Sequence, residues 1–273
     1  MVSYVDTHCH LDLFPNPVAT LDSAPQTIVI AVTELPSRYR LLSMRFRNDR
    51  RVRVALGLHP LRAATAGALE EGLLVRQLDS TEYVGEVGLD FSKAGHDSRD
   101  AQLHVFDRLL GEPALRRKVV TVHSRGASRP VIDRLRDAKV RAILHWYTGP
   151  PALIDQALDA GMYFSINPAM LRTDKGRLTI AALPPDRVLT ESDGPFARIS
   201  GHASAPKDVT AVITALAKLW DSTNDDARRV VHDNLASLYA STVGISDDER
   251  VTSEQSALQP ASRPKGHPIG NPS

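Results

Sequence analysis

The sequence predicts an α/β fold, specifically a (β/α)8 or TIM barrel with a shortened first repeat. Three observations predict the barrel: eight short apolar, β-branched runs, helical periodicity in most segments between them, and a length of 273 residues. Barrels of about 250 residues are routinely one domain, and eight alternations fit a closed barrel better than an open doubly wound sheet.

The runs are Tyr4-Thr7, Thr27-Val32, Val52-Gly57, Tyr83-Gly88, Val119-His123, Ala142-His145, Tyr163-Ile166 and Val188-Glu191. Between them lie periodic segments such as Asp100 to Leu115, with Leu103, Phe106, Leu109 and Leu110, and Arg129 to Ala138, with Val131, Ile132 and Leu135. Such alternation argues for a parallel sheet covered by helices. The first connection, Asp12 to Ala24, is short and carries Pro15 and Pro17, with Pro25 just beyond, so its helix is at most a turn or two. The run Arg38 to Arg53 holds arginines at 38, 40, 45, 47, 50, 51 and 53. Most are expected on an outer helix, as a solvated face or a partner site. From Ser246 onward the chain is polar and proline-rich, so residues 1–245 are expected to form the domain and 246–273 a disordered tail.

Hydrophobic content of 42% and charged content of 24% are ordinary for a globular protein. A net charge of +1 supplies no global field for a polyanion, so any such substrate must be held by local groups. The single cysteine, Cys9, excludes an internal disulfide, and the N-terminus lacks the regions of a signal peptide. A cytoplasmic location is the expectation. No apolar stretch approaches the roughly 18–20 residues that span a bilayer, so no membrane role is expected.

His8 and His10 follow the first strand two residues apart, so an extended chain sends both imidazoles to one side and Cys9 to the other. An H-x-H pair decides little alone. The other candidates carry more weight, because Glu86 lies near the end of strand four, His123 ends strand five, His145 ends strand six and Asp193 follows strand eight. Barrel enzymes place their chemistry at the C-terminal strand ends, so these six N and O donors can surround a metal despite their separation. His59, after strand three, joins the same rim as a catalytic or supporting group, or as a packed loop histidine.

The chain resembles the TatD family of metal-dependent deoxyribonucleases from about Val5 to Gly244. The matching pieces are Val5-Asp6-Thr7-His8-Cys9-His10-Leu11-Asp12, Ala55-Leu56-Gly57-Leu58-His59-Pro60, Val84-Gly85-Glu86-Val87-Gly88-Leu89-Asp90, His123-Ser124-Arg125, His145-Trp146-Tyr147-Thr148-Gly149 and Glu191-Ser192-Asp193-Gly194-Pro195-Phe196. More narrowly, Pro168-Ala169-Met170-Leu171, the run Leu189 to Phe196 and the short first repeat resemble the QatD branch, the TatD-type component of the Qat anti-phage system. Two departures bear on substrate preference rather than metal binding. Trp146-Tyr147 stands where the family usually has Cys-Phe, and Ser192-Asp193-Gly194-Pro195 where Thr-Asp-Ser/Ala-Pro is common.

The resemblance implies one or two divalent ions, Zn, Mn or Mg. It places His8, His10 and Asp193 on one, His123 and His145 on the other, and Glu86 between them. It further implies hydrolysis of DNA or an oligonucleotide by a metal-activated water, with Asp193 taking the proton. The alternative for Asp193 is an ordinary turn residue before Gly194-Pro195. Arg125 could bind a phosphate or make an outward salt bridge, and Trp146 and Tyr147 could stack on a base or pack in the core. Glu191 is expected to orient a ligand histidine or to sit in an unrelated ion pair.

The reduced loop after the first strand is expected to leave the cleft open to partner proteins of a defence operon. Two rivals remain. One is a barrel hydrolase of an ester, lactone or amide, although many such enzymes of this superfamily carry a carboxylated lysine where this chain has Glu86. The other is a metal-stabilised, non-catalytic subunit of a defence complex.

Overall fold

In the computed structural model, which describes residues 2–243, eight strands form the barrel: Tyr4–Cys9 (β1), Thr27–Ala31 (β2), Val52–Val54 (β3), Tyr83–Gly88 (β4), Val119–His123 (β5), Ala142–His145 (β6), Tyr163–Ile166 (β7) and Val188–Thr190 (β8). All ladders between neighbours are parallel, running β1-β2-β3 and β4 through β8 in sequence order. Two seams close the ring. Between β3 and β4, Leu56 bridges Val84, with Leu56 N donating to Tyr83 O at 3.0 Å and Gly85 N to Leu56 O at 2.9 Å. Between β8 and β1, Thr7 Oγ1 donates to Thr190 O at 3.1 Å, Asp193 N to His8 O at 2.9 Å and His10 N to Gly194 O at 2.8 Å.

The helices are Pro17–Asp22 (α1), Pro36–Phe46 (α2), Ala63–Arg76 (α3), Arg99–Leu110 (α4), Ser128–Asp137 (α5), Ile154–Asp159 (α6), Asp174–Ala181 (α7), Val209–Leu219 (α8) and Asn224–Thr242 (α9). The first helix is the short one expected: Pro17 occupies its first turn and the Asn16 side chain accepts from Ala19 N at 3.1 Å. A two-stranded antiparallel ribbon, Arg198–Ile199 (β9) with His202–Ala203 (β10), follows β8. The expected tail, 246–273, lies outside the described residues. No helix among the described residues is long and apolar enough to cross a membrane.

Alternation determines what each strand buries. One cluster fills the barrel and the layer between sheet and helices, while a smaller one (Cys9, Leu11, Leu21, Val29, Ala31, Leu42, Phe46, Val52) seals the region beneath α1 and α2. The arginine run departs from the expectation that most of it lies on a helix. Burial of Tyr39, Leu42 and Phe46 ends the apolar stripe of α2 at Phe46, so only Arg38, Arg40 and Arg45 are helical. Arg51 pairs instead with Asp22 and Asp49, at 3.0 and 2.6 Å, and Arg53 belongs to β3.

Candidate metal centre

The C-terminal ends of β1, β4, β5 and β6, together with the segments after β3 and β8, converge on one buried cage. Alternation along β1 puts His8 and His10 on the inner side, their Nε2 atoms 3.4 Å apart, and turns Cys9 outward into the smaller apolar cluster. Glu86 stands at the centre. Its Oε2 lies 3.5 Å from His8 Nε2 and 3.1 Å from His10 Nε2, and each of these nitrogens is 3.8 Å from Asp193 Oδ1. Its Oε1 lies 2.6 Å from His123 Nδ1, 3.1 Å from His145 Nε2 and 3.4 Å from His59 Nε2. His145 Nε2 and His123 Nδ1 are 3.3 Å apart.

These separations have the chemistry of a cation site. Donors about 2.0–2.2 Å from one tetrahedral ion are about 3.3–3.6 Å apart, close to what the two groups show. His8, His10, Asp193 and one oxygen of Glu86 could therefore hold one ion, and His123, His145 and the other oxygen of Glu86 a second. Other groups aim the imidazoles. His8 Nδ1 meets Thr121 Oγ1 at 2.8 Å, and the His8 ring stacks on His145 with centroids 3.8 Å apart. Behind His145, Glu191 Oε1 lies 3.6 Å from Nδ1 while accepting from Trp146 N and Asn167 Nδ2, and Ser165 Oγ donates to Glu191 Oε2.

Burial and close packing drive the groups of the cage into unlike charge states. Burial pushes the Asp193 carboxyl up to about 7 against the opposing pull of His145 and His10, and drives His8 well below the usual imidazole range. Glu86 behaves oppositely: although burial disfavours its charge, His59, His145, His8 and His10 hold it well below the usual carboxylate range. In turn, with burial opposing, Glu86 and its neighbouring carboxylates push His10 and His123 above the usual imidazole range and His145 well above it, so the imidazoles balance the charge of Glu86.

Above the cage opens a cleft of about 400 Å³ whose floor is lined by His10, His59, Glu86, His123, His145 and Asp193. Arg125 and Trp146 line its mouth, and among the described residues Arg125 has no carboxylate partner. Tyr147 is a correction. It is only 1% exposed, packs edge-on against Phe164 at 5.4 Å and donates its hydroxyl to Pro150 O at 2.8 Å, which leaves no face for a base. The reversal between the neighbours arises at Trp146, whose φ of 38° turns the chain after β6.

Several groups at the site escaped the sequence reading. Asp90, two residues beyond β4, accepts from His123 Nε2 at 2.9 Å and is held at about 2, burial opposing, by hydrogen bonds from His123 and Ser92. Asp6 is wholly buried, ties His8 N and Ser192 N together through Oδ1 at 3.2 and 2.9 Å, and is pushed up to about 7 by burial. Thr121 and Asp6 each stand two residues before a candidate ligand on a strand, and that spacing was the available signal. Glu34, paired with Arg62 at 2.8 Å, and Phe196, edge-on to His10 at 4.9 Å, also line the cleft, and no local pattern announces them.

The TatD related DNase family model matches residues 5–240. An uncharacterized metal-dependent hydrolase of Methanocaldococcus jannaschii is 26% identical over 247 residues, spanning 87% of this chain and 97% of that protein. Human deoxyribonuclease TATDN3 is 30% identical over 216 residues, spanning 71% and 78%. Among solved structures, the TatD homologue YjjV of Escherichia coli covers 90% of this chain and all of its own (100%), with a TM-score of 0.78 at 23% identity, a likeness of fold.

Proposed function

The chain belongs to the TatD related DNase family of barrel hydrolases, and from that premise we propose that it is a metal-dependent phosphodiesterase that cleaves DNA. The observation that carries the reading is Glu86, whose two carboxylate oxygens each face a separate set of imidazole nitrogens. His8, His10 and Asp193 would hold one divalent ion, His123 and His145 the second, and Glu86 both. Imidazole and carboxylate donors together suit Zn or Mn better than Mg, whose preferred shell is oxygen. When bound, such ions supply a nucleophile at neutral pH and neutralise charge on the phosphate oxygens.

The chain's own groups do the rest. Asp193, at the floor of the cleft, takes the proton of the attacking water, and its buried position keeps competing solvent away. His59 faces the same oxygen of Glu86 as His123 and is the second group placed for proton transfer. At the mouth, Arg125, which has no carboxylate partner among the described residues, offers its guanidinium to a phosphate, and Trp146 offers a ring to the adjoining base. The finer reading is an anti-phage role resembling QatD, with partner proteins docking beside the six-residue α1.

The direct test incubates the purified chain with end-labelled single- and double-stranded DNA, RNA and short oligonucleotides under Mg, Mn and Zn. A metal-dependent ladder on DNA is expected. Hydrolysis of esters or lactones with every nucleic acid left intact would overturn the reading in favour of a carbonyl hydrolase.

A further inference from the structure

We propose that Asp90 is a positioning residue whose carboxylate holds the His123 imidazole in the single tautomer and rotation that present a bare Nδ1 to the second metal position. The inference rests on the reading of the cage as a two-ion site. A carboxylate only accepts hydrogen bonds, so the 2.9 Å contact from His123 Nε2 to Asp90 Oδ2 requires the proton on Nε2. Nδ1 is the atom 2.6 Å from Glu86 Oε1 and 3.3 Å from His145 Nε2; with no cation bound, its contact with Glu86 puts a proton there too, and a cation that displaced it would leave the Nε2 proton held on Asp90 and Nδ1 as the ligand atom. With the other neutral tautomer, the bare Nε2 would face the lone pairs of Asp90 and Nδ1 could not bind a cation.

Asp90 is itself fixed. Its Oδ1 accepts from Ser92 N at 2.8 Å, and its own N donates to Gln102 Oε1 at 2.7 Å. Gln102 Nε2 in turn donates to Gly95 O at 3.0 Å and Ser98 Oγ at 2.8 Å, so the chain of contacts ends on α4 and the loop before it. Among the four candidate ligand histidines, and counting the described residues, only His123 has a carboxylate within hydrogen-bonding distance of the ring nitrogen that points away from the cage. His8 has a neutral hydroxyl behind it, Glu191 stands 3.6 Å behind His145, and His10 Nδ1 has no partner. Partners of this kind typically change metal affinity by about 10- to 100-fold.

Asp90→Asn tests the inference. The Ser92 N–H keeps the amide oxygen on its side, which turns the amide NH2 toward His123 and forces the proton onto Nδ1. The full chain, wild type and variant, is stripped of metal and titrated with Zn and with Mn, with bound ions counted by equilibrium dialysis. Melting of the stripped proteins serves as the fold control. The expected result is two ions for wild type, with the second bound about 10- to 100-fold more weakly by the variant and the first unchanged. Two ions at wild-type affinity in Asp90→Asn would overturn the inference alone. One ion in the wild type would also overturn it, and none would overturn the functional reading beneath it. Imidazole 15N spectra of Zn-loaded wild type keep the test open if the variant fails to fold. A His123 ring protonated at Nε2 is expected, and ligation through Nε2 would contradict the proposal.

Discussion

Glu86 and Asp193 are both buried carboxylates of the cage, yet the geometry gives them different work. Glu86 faces two nitrogen groups through two oxygens, whereas Asp193 meets only His8 and His10 at 3.8 Å and is open to the cleft. Asp193→Asn keeps an oxygen donor while removing the proton acceptor, so the chemical step should fall by about 10²- to 10⁴-fold with metal largely retained. Glu86→Gln should lower metal content as well as rate. Bound metal and cleavage, measured for both beside wild type, check the pair, and wild-type cleavage by Asp193→Asn would pass the proton to His59. Cys9 faces the apolar cluster rather than the cage, so Cys9→Ala should keep activity within about a few fold. A thousandfold loss would contradict the facing of β1. All six expected donors meet because each lies in the C-terminal half of a strand or just beyond it, which periodicity reveals. Tyr147 was not legible, because the turn at Trp146 that sends it inward is a backbone event that residue types do not announce. Asp90 was equally hidden, since its partner His123 lies on the next strand.

At the scale of the elements, position on the strand matters more than composition. The eight apolar runs became the eight barrel strands, with the second, third and eighth ending earlier than expected, at Ala31, Val54 and Thr190, and the first running on to Cys9. The shortfall in the third has a physical cause. Beyond Val54 the chain holds β4 through isolated contacts, and Gly57 lies so close to it that an added Cβ would stand 2.4 Å from Glu86 N and 2.1 Å from Thr33 O. Both obstacles are backbone, so Gly57→Ala must displace either β4 or the segment after β2. Overpacking of this kind costs about 1–3 kcal/mol, which in a domain of this size lowers the melting midpoint by roughly 2–4 °C per kcal/mol. Metal content should fall with it where β4 gives way, because Glu86 then moves. Calorimetry with metal analysis decides the matter, and unchanged values for both would show that the β3–β4 seam yields without moving the cage. The arginine run was misjudged for a related reason: charge spacing carries no sign of where a helix stops, whereas the buried Tyr39-Leu42-Phe46 stripe does.

For the whole molecule, closure of the barrel brings residues from position 8 to position 193 into hydrogen-bonding range at one rim, as Asp193 N on His8 O at 2.9 Å illustrates. The sequence places each donor at a strand end, and only closure makes those ends neighbours. The cage then concentrates three buried candidate ligand histidines, the partly buried His123 and two buried carboxylates, an arrangement whose desolvation is offset when cations are bound. Metal should therefore stabilise the fold as well as enable cleavage. The most direct measurement strips the full chain with chelator, confirms removal by elemental analysis, and follows DNA cleavage as Mn or Zn is added back. Loss of cleavage on stripping, with recovery as one to two equivalents bind, is the predicted result. Undiminished cleavage by protein shown to be free of metal would contradict the account.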